Sequence, residues 1–314
     1  MSSDLRVGVA AGVAAYGLWG SFPLYFRLLE PTSPLEILAH RILWSLVVVA
    51  IVLLVVGEHS WIRTVVSQGR LLADVVAASV LIAVNWLVYV WAVADGRVVD
   101  AALGYFINPL VTVGLGVVVI GERLRRLQWL AVALGALAVL VIVVGYGRVP
   151  WVSFVLACSF AGYGFLKRRI PLRPIESLAA ETVVLAPVAV GALVLVGAAG
   201  PGSGSSLLGD GLRFGSSGLG DSLLLATTGI VTATPLVLFA TAARRIPLSM
   251  LGLLQYLTPA AQFLIGVLIF GEDMPPERLV GFVLIWGALA LLSIDGVRSF
   301  RTPAQPLEPV EPAL

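Results

Sequence analysis

The stretch "EILAHRILWS" places Glu36, His40 and Arg41 within about one and a half helical turns of each other. A histidine four residues after a carboxylate shares its helical face and can take up or release a proton near neutral pH. The guanidinium beside them is a planar fork suited to a carboxylate. Yet the apolar run that follows, "LVVVAIVLLVV", reads as the body of a membrane-spanning helix. A cation at the bilayer centre costs about 2.5–3.5 kcal/mol on insertion scales, so something must offset Arg41. A second buried acid is expected at Glu181, in "PIESLAAE". Catalytic alternatives find little material. There is no G-x-S-x-G, no Gly-rich phosphate loop, and two histidines with one cysteine (Cys158) build neither a metal site nor an internal disulfide. No cofactor, no metal and no nucleic-acid partner are expected, and an enzyme is the weaker reading.

The elements that position these residues are helices in lipid. Of 314 residues, 59% are apolar and 12% charged, and mean hydropathy is +1.00, far from a soluble domain. Apolar windows predict an all-α integral membrane protein with ten spans, near 7–28, 35–57, 72–94, 101–120, 127–146, 151–169, 177–199, 222–243, 248–270 and 278–297. The first lacks a cleavage site and is expected to be retained. A Gly/Ser-rich stretch, 200–221, reads as a flexible linker, and the Pro-rich segment 298–314 as a disordered tail. With the N-terminus inside, cytoplasmic segments hold 14 Lys and Arg and the opposite loops 5, which predicts both termini in the cytoplasm.

The chain also repeats itself. "PLEILAHR" matches "PIESLAAE", "VYVWAVADGRVVDAALG" matches "LVLFATAARRIPLSMLG", and "NPLVTVGLGVVVIGE" matches "TPAAQFLIGVLIFGE", in the same order in both halves. Two five-helix repeats follow, 1–146 and 151–297. Because five is odd, the second enters the membrane from the opposite side, the arrangement of secondary transporters with a site between the repeats. Pro109 and Pro259 are equivalent and mid-span, and would free the carbonyls of Tyr105 and Gln255. Exposed backbone at that depth belongs in a cavity, expected along "LGYFINP" and "LQYLTP" with Tyr105, Asn108, Pro109, Gln255, Tyr256 and Pro259. Two simple kinks are the alternative. Trp19 and Tyr16, Asn85, Trp86 and Tyr89, Tyr163, Thr232 and Thr234 are further candidates for contact with an amphipathic solute.

Under the repeat, Arg41 falls on Glu181. One reading makes Glu36, His40, Arg41 and Glu181 a polar clasp in which Arg41 meets Glu181. The other puts them in contact with the solute or a coupling proton. Both stay open at this level.

"LAHRILWS", "VNWLVYVWAV", "LGYFINPLV", "GERLRRLQWLAV" and "GLLQYLTPAAQFLIGVLIFGE" together resemble the EamA-type transporters of the drug/metabolite transporter superfamily, over about residues 5–297. The resemblance implies ten helices in two inverted EamA repeats, an inner-membrane location, and export or exchange of small metabolites or drugs. It marks His40, Arg41, Asn85, Trp86, Tyr105, Asn108, Pro109, Gln255 and Pro259 as family-typical positions. The expected partners are the lipid bilayer, a small solute and a coupling proton, with the chain acting as a monomer or homodimer. A passive channel-like path and a non-transporting partner subunit are the rival readings outside enzymology.

Overall fold

The computed structural model of the chain describes residues 3–57, 60–121, 123–147, 149–200, 204–246 and 248–301. The expectations for 201–203, Glu122 and the greater part of the tail, 302–314, lie outside the described residues. Within them the protein is all helix, with no strand. The helices are α1 (Ser3–Leu28), α2 (Pro34–Val56), α3 (Ser60–Ser67), α4 (Gly69–Ala94), α5 (Val98–Leu115), α6 (Arg126–Tyr146), α7 (Trp151–Lys167), α8 (Pro174–Ala199), α9 (Leu219–Ala243), α10 (Leu248–Leu254), α11 (Leu257–Leu264) and α12 (Pro276–Arg301). Among the described residues nine apolar helical stretches are long enough to cross a bilayer, with α10 and α11 acting as one span. The tenth, α7, has 17 residues, about 25 Å at 1.5 Å per residue, which is at the short end for a span. The short helix α3 was not expected. It is too short to cross, and it turns its own Val65 and Trp61 onto the core.

Helix starts follow local chemistry. Ser33 Oγ accepts from the Glu36 amide at 3.2 Å ahead of Pro34 in the first turn of α2. The equivalent start of α8 has Pro174, and Glu176 accepts from the Arg173 amide at 2.8 Å. Both α2 and α6 stop at a glycine in the left-handed region, Gly57 and Gly147.

The principal packing pairs map onto one another when the halves are exchanged. α2 packs on α8, α6 on α12 and α5 on α11, pairs that are their own counterparts. α5 on α7 corresponds to α11 on α1, α4 on α7 to α9 on α1, and α2 on α9 to α8 on α4. Contacts at the two ends give direction. Trp91, ending α4, stacks on Trp151, starting α7, with ring centres 5.1 Å apart. At the other end Gly8, near the start of α1, lies against Arg245, just past α9. The first spans of the two halves therefore begin at opposite ends. We call these the arginine-poor end (Trp91, Trp151) and the arginine-rich end (Gly8, Arg245).

Two expectations need correction. Pro259 does not sit in mid-helix. The span breaks at Gln255–Tyr256, and Pro259 is the third residue of α11, where the missing N–H has no helical acceptor to lose. Pro109 does lie inside α5. Both spans then close on a π-helical turn, Gly116–Ile120 and Ile265–Ile269, followed by left-handed Gly121 and Gly271. The second correction concerns the linker. Its described part, 204–218, folds back onto the arginine-poor end: Leu207 O accepts from the Leu35 amide at 3.3 Å, and the Arg213 and Phe214 amides each donate to Glu36 at 2.9 Å. Buried carboxylate oxygens need donors, and here the loop backbone supplies them.

Candidate functional site

Arg41 lies seven residues into α2, about 10 Å below its start, and is 4% exposed. Its guanidinium carbon stands 4.2 Å over the Trp86 ring of α4, and 5.4 and 5.6 Å from the rings of Phe22 and Phe26 on α1. Its Nε donates to Thr232 Oγ1 of α9 at 2.9 Å. Nη1 is buried with no hydrogen-bond partner among the described residues. Cation–π contacts reach about 2 kcal/mol when desolvated, so aromatic faces rather than a carboxylate offset the insertion cost. The expected clasp is corrected: Arg41 does not meet Glu181.

Glu181 has its own cation. Lys167 Nζ donates to Glu181 Oε1 at 2.7 Å, Ser177 Oγ to the same oxygen at 2.9 Å, and Tyr163 OH to Oε2 at 3.1 Å. Lys167 Nζ also donates to Ser177 Oγ. This cluster ties α7 to α8 toward the arginine-rich end. A chain of rings connects it to the Arg41 compartment: Tyr89, Tyr105, Phe160 and Tyr163 follow one another at 5.8, 6.0 and 6.1 Å between centres.

Asn85 and Asn108 turn out to be fasteners. Asn85 Nδ2 donates to Leu156 O and Ser159 Oγ, both at 3.1 Å, and Asn85 Oδ1 accepts from Tyr105 OH at 3.1 Å. Asn108 Nδ2 donates to Ala157 O at 3.1 Å. Together they hold α4 and α5 against α7, so Tyr105 is aimed by Asn85. On the facing side the broken helix meets α1. Thr258 Oγ1 donates to Tyr16 O at 2.9 Å, and Gln262 Nε2 donates to Trp19 O at 3.3 Å and Tyr89 OH at 3.0 Å. Gln262 Oε1 is buried without a partner among the described residues. Tyr256 packs instead with the α6–α12 cluster, so the "LQYLTP" segment does not deliver its tyrosine to Arg41. Trp19 stacks on Tyr16 and Phe239 beside the break.

Reasoning from the sequence missed Phe22, Phe26, Gln262 and Lys167. Phe22 and Phe26 are an aromatic pair at a spacing of four, indistinguishable by pattern from ordinary core. Gln262 did carry a signal, as an amide inside an apolar run, four residues after Thr258 on the same face.

Above Arg41, Glu36 is fully buried and holds the loop, and the His40 ring stacks on Phe214 at 4.5 Å. His40 Nε2 is 3.9 Å from Glu36 Oε1, beyond hydrogen-bond distance. Nearby at the same end, Arg278 and Arg97 both reach Asp100, at 2.6 and 2.8 Å, and Glu272 accepts from the Val98 and Val99 amides at 2.5 and 2.9 Å. Burial pushes the Glu272 carboxyl up from its ordinary value against those stabilising donors. From the arginine-rich end a cleft of about 670 Å³ opens between α2, α8 and α9. Its walls are apolar, with Val49, Leu53 and Ala233 among them, and Arg173, Arg244 and Arg245 stand at its mouth. The expected cavity residues along "LGYFINP" and "LQYLTP" do not line it. Of the sequence candidates only Thr234 does, although Ile230 and Ala233 in its wall flank Thr232, the partner of Arg41.

Residues 6–144 match the EamA-like transporter family. A protein named RarD from Streptomyces exfoliatus is 49% identical over 312 residues, covering 99% of this chain and 96% of that one. An uncharacterized transporter of Pseudomonas aeruginosa is 42% identical, with 97% and 99% covered. RarD of Escherichia coli is 37% identical, with 96% and 98% covered. A solved crystal structure overlays with a TM-score of 0.59 at 16% identity, over 93% of this chain and 99% of that one, a likeness of fold alone.

Proposed function

The chain belongs to the EamA-like transporter family, and on that premise we propose that it is a secondary carrier moving a small metabolite or drug-like solute across the inner membrane by alternating access, as an exporter or exchanger. The observation that carries this reading is one-sidedness. The Arg41 compartment is covered at the arginine-poor end by Glu36 and segment 204–218, while the cleft at the arginine-rich end has in its wall Ile230 and Ala233, which flank Thr232. A channel needs both ends open at once, so the arrangement favours a carrier over a passive path. The family match and the Pseudomonas relative named as a transporter point the same way and away from an enzyme.

In this reading the arginine-rich end faces the cytoplasm, both termini are cytoplasmic, and the observed state is inward-facing. One copy holds both halves of the path, so the monomer is the transporting unit. The buried Glu36–His40 pair is the candidate for a coupling proton, because it lies directly beneath the loop that would have to lift.

The test begins with untargeted profiling of medium from cells with and without the protein. A solute that differs is then followed in proteoliposomes. Saturable flux accelerated by unlabelled solute on the far side is the expected result. Flux that rises linearly without such acceleration replaces the carrier with a pore, and chemical conversion of the solute replaces it with an enzyme.

A further inference from the structure

We propose that Arg41 is the binding group for the carboxylate of a singly charged organic solute, with Gln262 taking a hydrogen-bond donor on the same molecule. The inference rests on the carrier reading and names the class of solute. Its starting point is a missing counter-ion. Among the described residues every buried acid is engaged elsewhere: Glu36 by the loop amides, Glu181 by Lys167, Asp100 by Arg97 and Arg278, Glu176 by Arg173 and Asp295 by Arg125, and the half-buried Glu272 is held by the start of α5. Arg41 is left with a hydroxyl and aromatic faces, and its Nη1 donates to nothing. Aromatic faces ease the charge but accept hydrogen bonds poorly, so a buried N–H is left unsatisfied.

A carboxylate suits Arg41 better than other anions. The compartment holds one cation, and a dianion such as a phosphate ester would bring a second charge with no partner into hydrocarbon surroundings. A carboxylate is planar, singly charged and matched to the guanidinium fork. The surrounding rings of Phe22, Phe26 and Trp86 suit an apolar body on the rest of the molecule.

The second contact follows from Gln262. Its Nε2 donates to Tyr89 OH, and the Tyr89 ring meets edge-on Phe26, which also faces Arg41. The orphaned donor and the orphaned acceptor thus flank one shared wall. An acceptor with no partner asks for an O–H or N–H from the ligand.

The test uses the whole protein in lipid nanodiscs and reads its tryptophan emission, to which Trp86 contributes. Three probes differ in one feature each: 3-phenylpropionate, the neutral 3-phenylpropionamide, and 3-phenyllactate. We expect saturable binding in which the acid is at least tenfold tighter than the amide, and the hydroxy acid about threefold tighter than the acid. Arg41→Gln should erase the acid-over-amide preference, Arg41→Lys should keep part of it, and Gln262→Leu should erase only the gain from the hydroxyl. Equal behaviour of acid and amide on the unaltered protein, including binding of neither, overturns the proposal without relying on any variant's folding. So does a preference that survives Arg41→Gln. If flux of the profiled solute remains saturable and accelerated by exchange while the acid shows no preference, the carboxylate site falls and the carrier stands. Linear flux would remove the carrier itself.

Discussion

Trp86 is the closest ring to the guanidinium of Arg41, and its removal should be felt as stability before it is felt as chemistry. Trp86→Leu is expected to lower resistance to denaturation in mixed micelles by about 1–2 kcal/mol, with Trp86→Phe losing roughly half of that. The pairing of Glu181 makes a sharper prediction. A double-mutant cycle on Glu181→Gln and Lys167→Met should return a coupling of about 1–3 kcal/mol, whereas Glu181→Gln combined with Arg41→Gln should be additive within about 0.5 kcal/mol. Coupling between Arg41 and Glu181 would restore the clasp that equivalent repeat positions suggest. At this scale the presence of charge in the membrane was readable, because ionisable residues inside apolar runs are few and conspicuous. Their partners were not. Lys167 is one of several cations at the end of its span, and nothing in linear order separates it from Arg168 and Arg169.

The segment 204–218 behaves as an element although it has no regular structure. Its attachment is a carboxylate accepting backbone amides, an interaction worth about 1.5–3 kcal/mol when charged. Hydrogen exchange at the Arg213 and Phe214 amides should therefore be slow in the intact protein, and about tenfold or more faster in Glu36→Gln. Unchanged exchange would mean that Glu36 does not hold the loop. The α2–α9 contact offers a second check. A Cβ on Gly229 would come within 2.5 Å of the Trp44 backbone, so Gly229→Ala must push the helices apart. Destabilisation of about 1–3 kcal/mol is expected, together with weaker transport, since Thr232 lies one turn further on the same helix. Helix existence and approximate span limits were legible from hydropathy. The break at Gln255–Tyr256 and the paired π-helical turns were not, because a proline says only that a helix is disturbed, and a π-helical turn leaves no compositional trace.

For the molecule as a whole, the carrier reading predicts different access from its two ends. In a Cys158→Ser background, Ala233→Cys in the cleft wall should react with an impermeant maleimide added on the arginine-rich side and not on the other. Adding Glu36→Gln should raise reactivity from the arginine-poor side by loosening the cover. Equal reactivity from both sides in the parent protein would describe a pore. The packing pairs that exchange under the repeat give this prediction its basis: each contact has a counterpart of opposite direction, so closing one end and opening the other needs no new kind of contact.

Composition, span length, basic-residue asymmetry and the internal repeat were decided along the chain, since each is a sum or a spacing that lipid imposes on any fold. Which side chain meets which was decided only in three dimensions. Repeat symmetry relates positions, but it does not require the related residues to touch. Arg41 and Glu181 are equivalent in the repeat, yet they sit on helices that run in opposite directions, and each meets whatever its own depth and neighbours present: rings and a threonine for one, a lysine for the other.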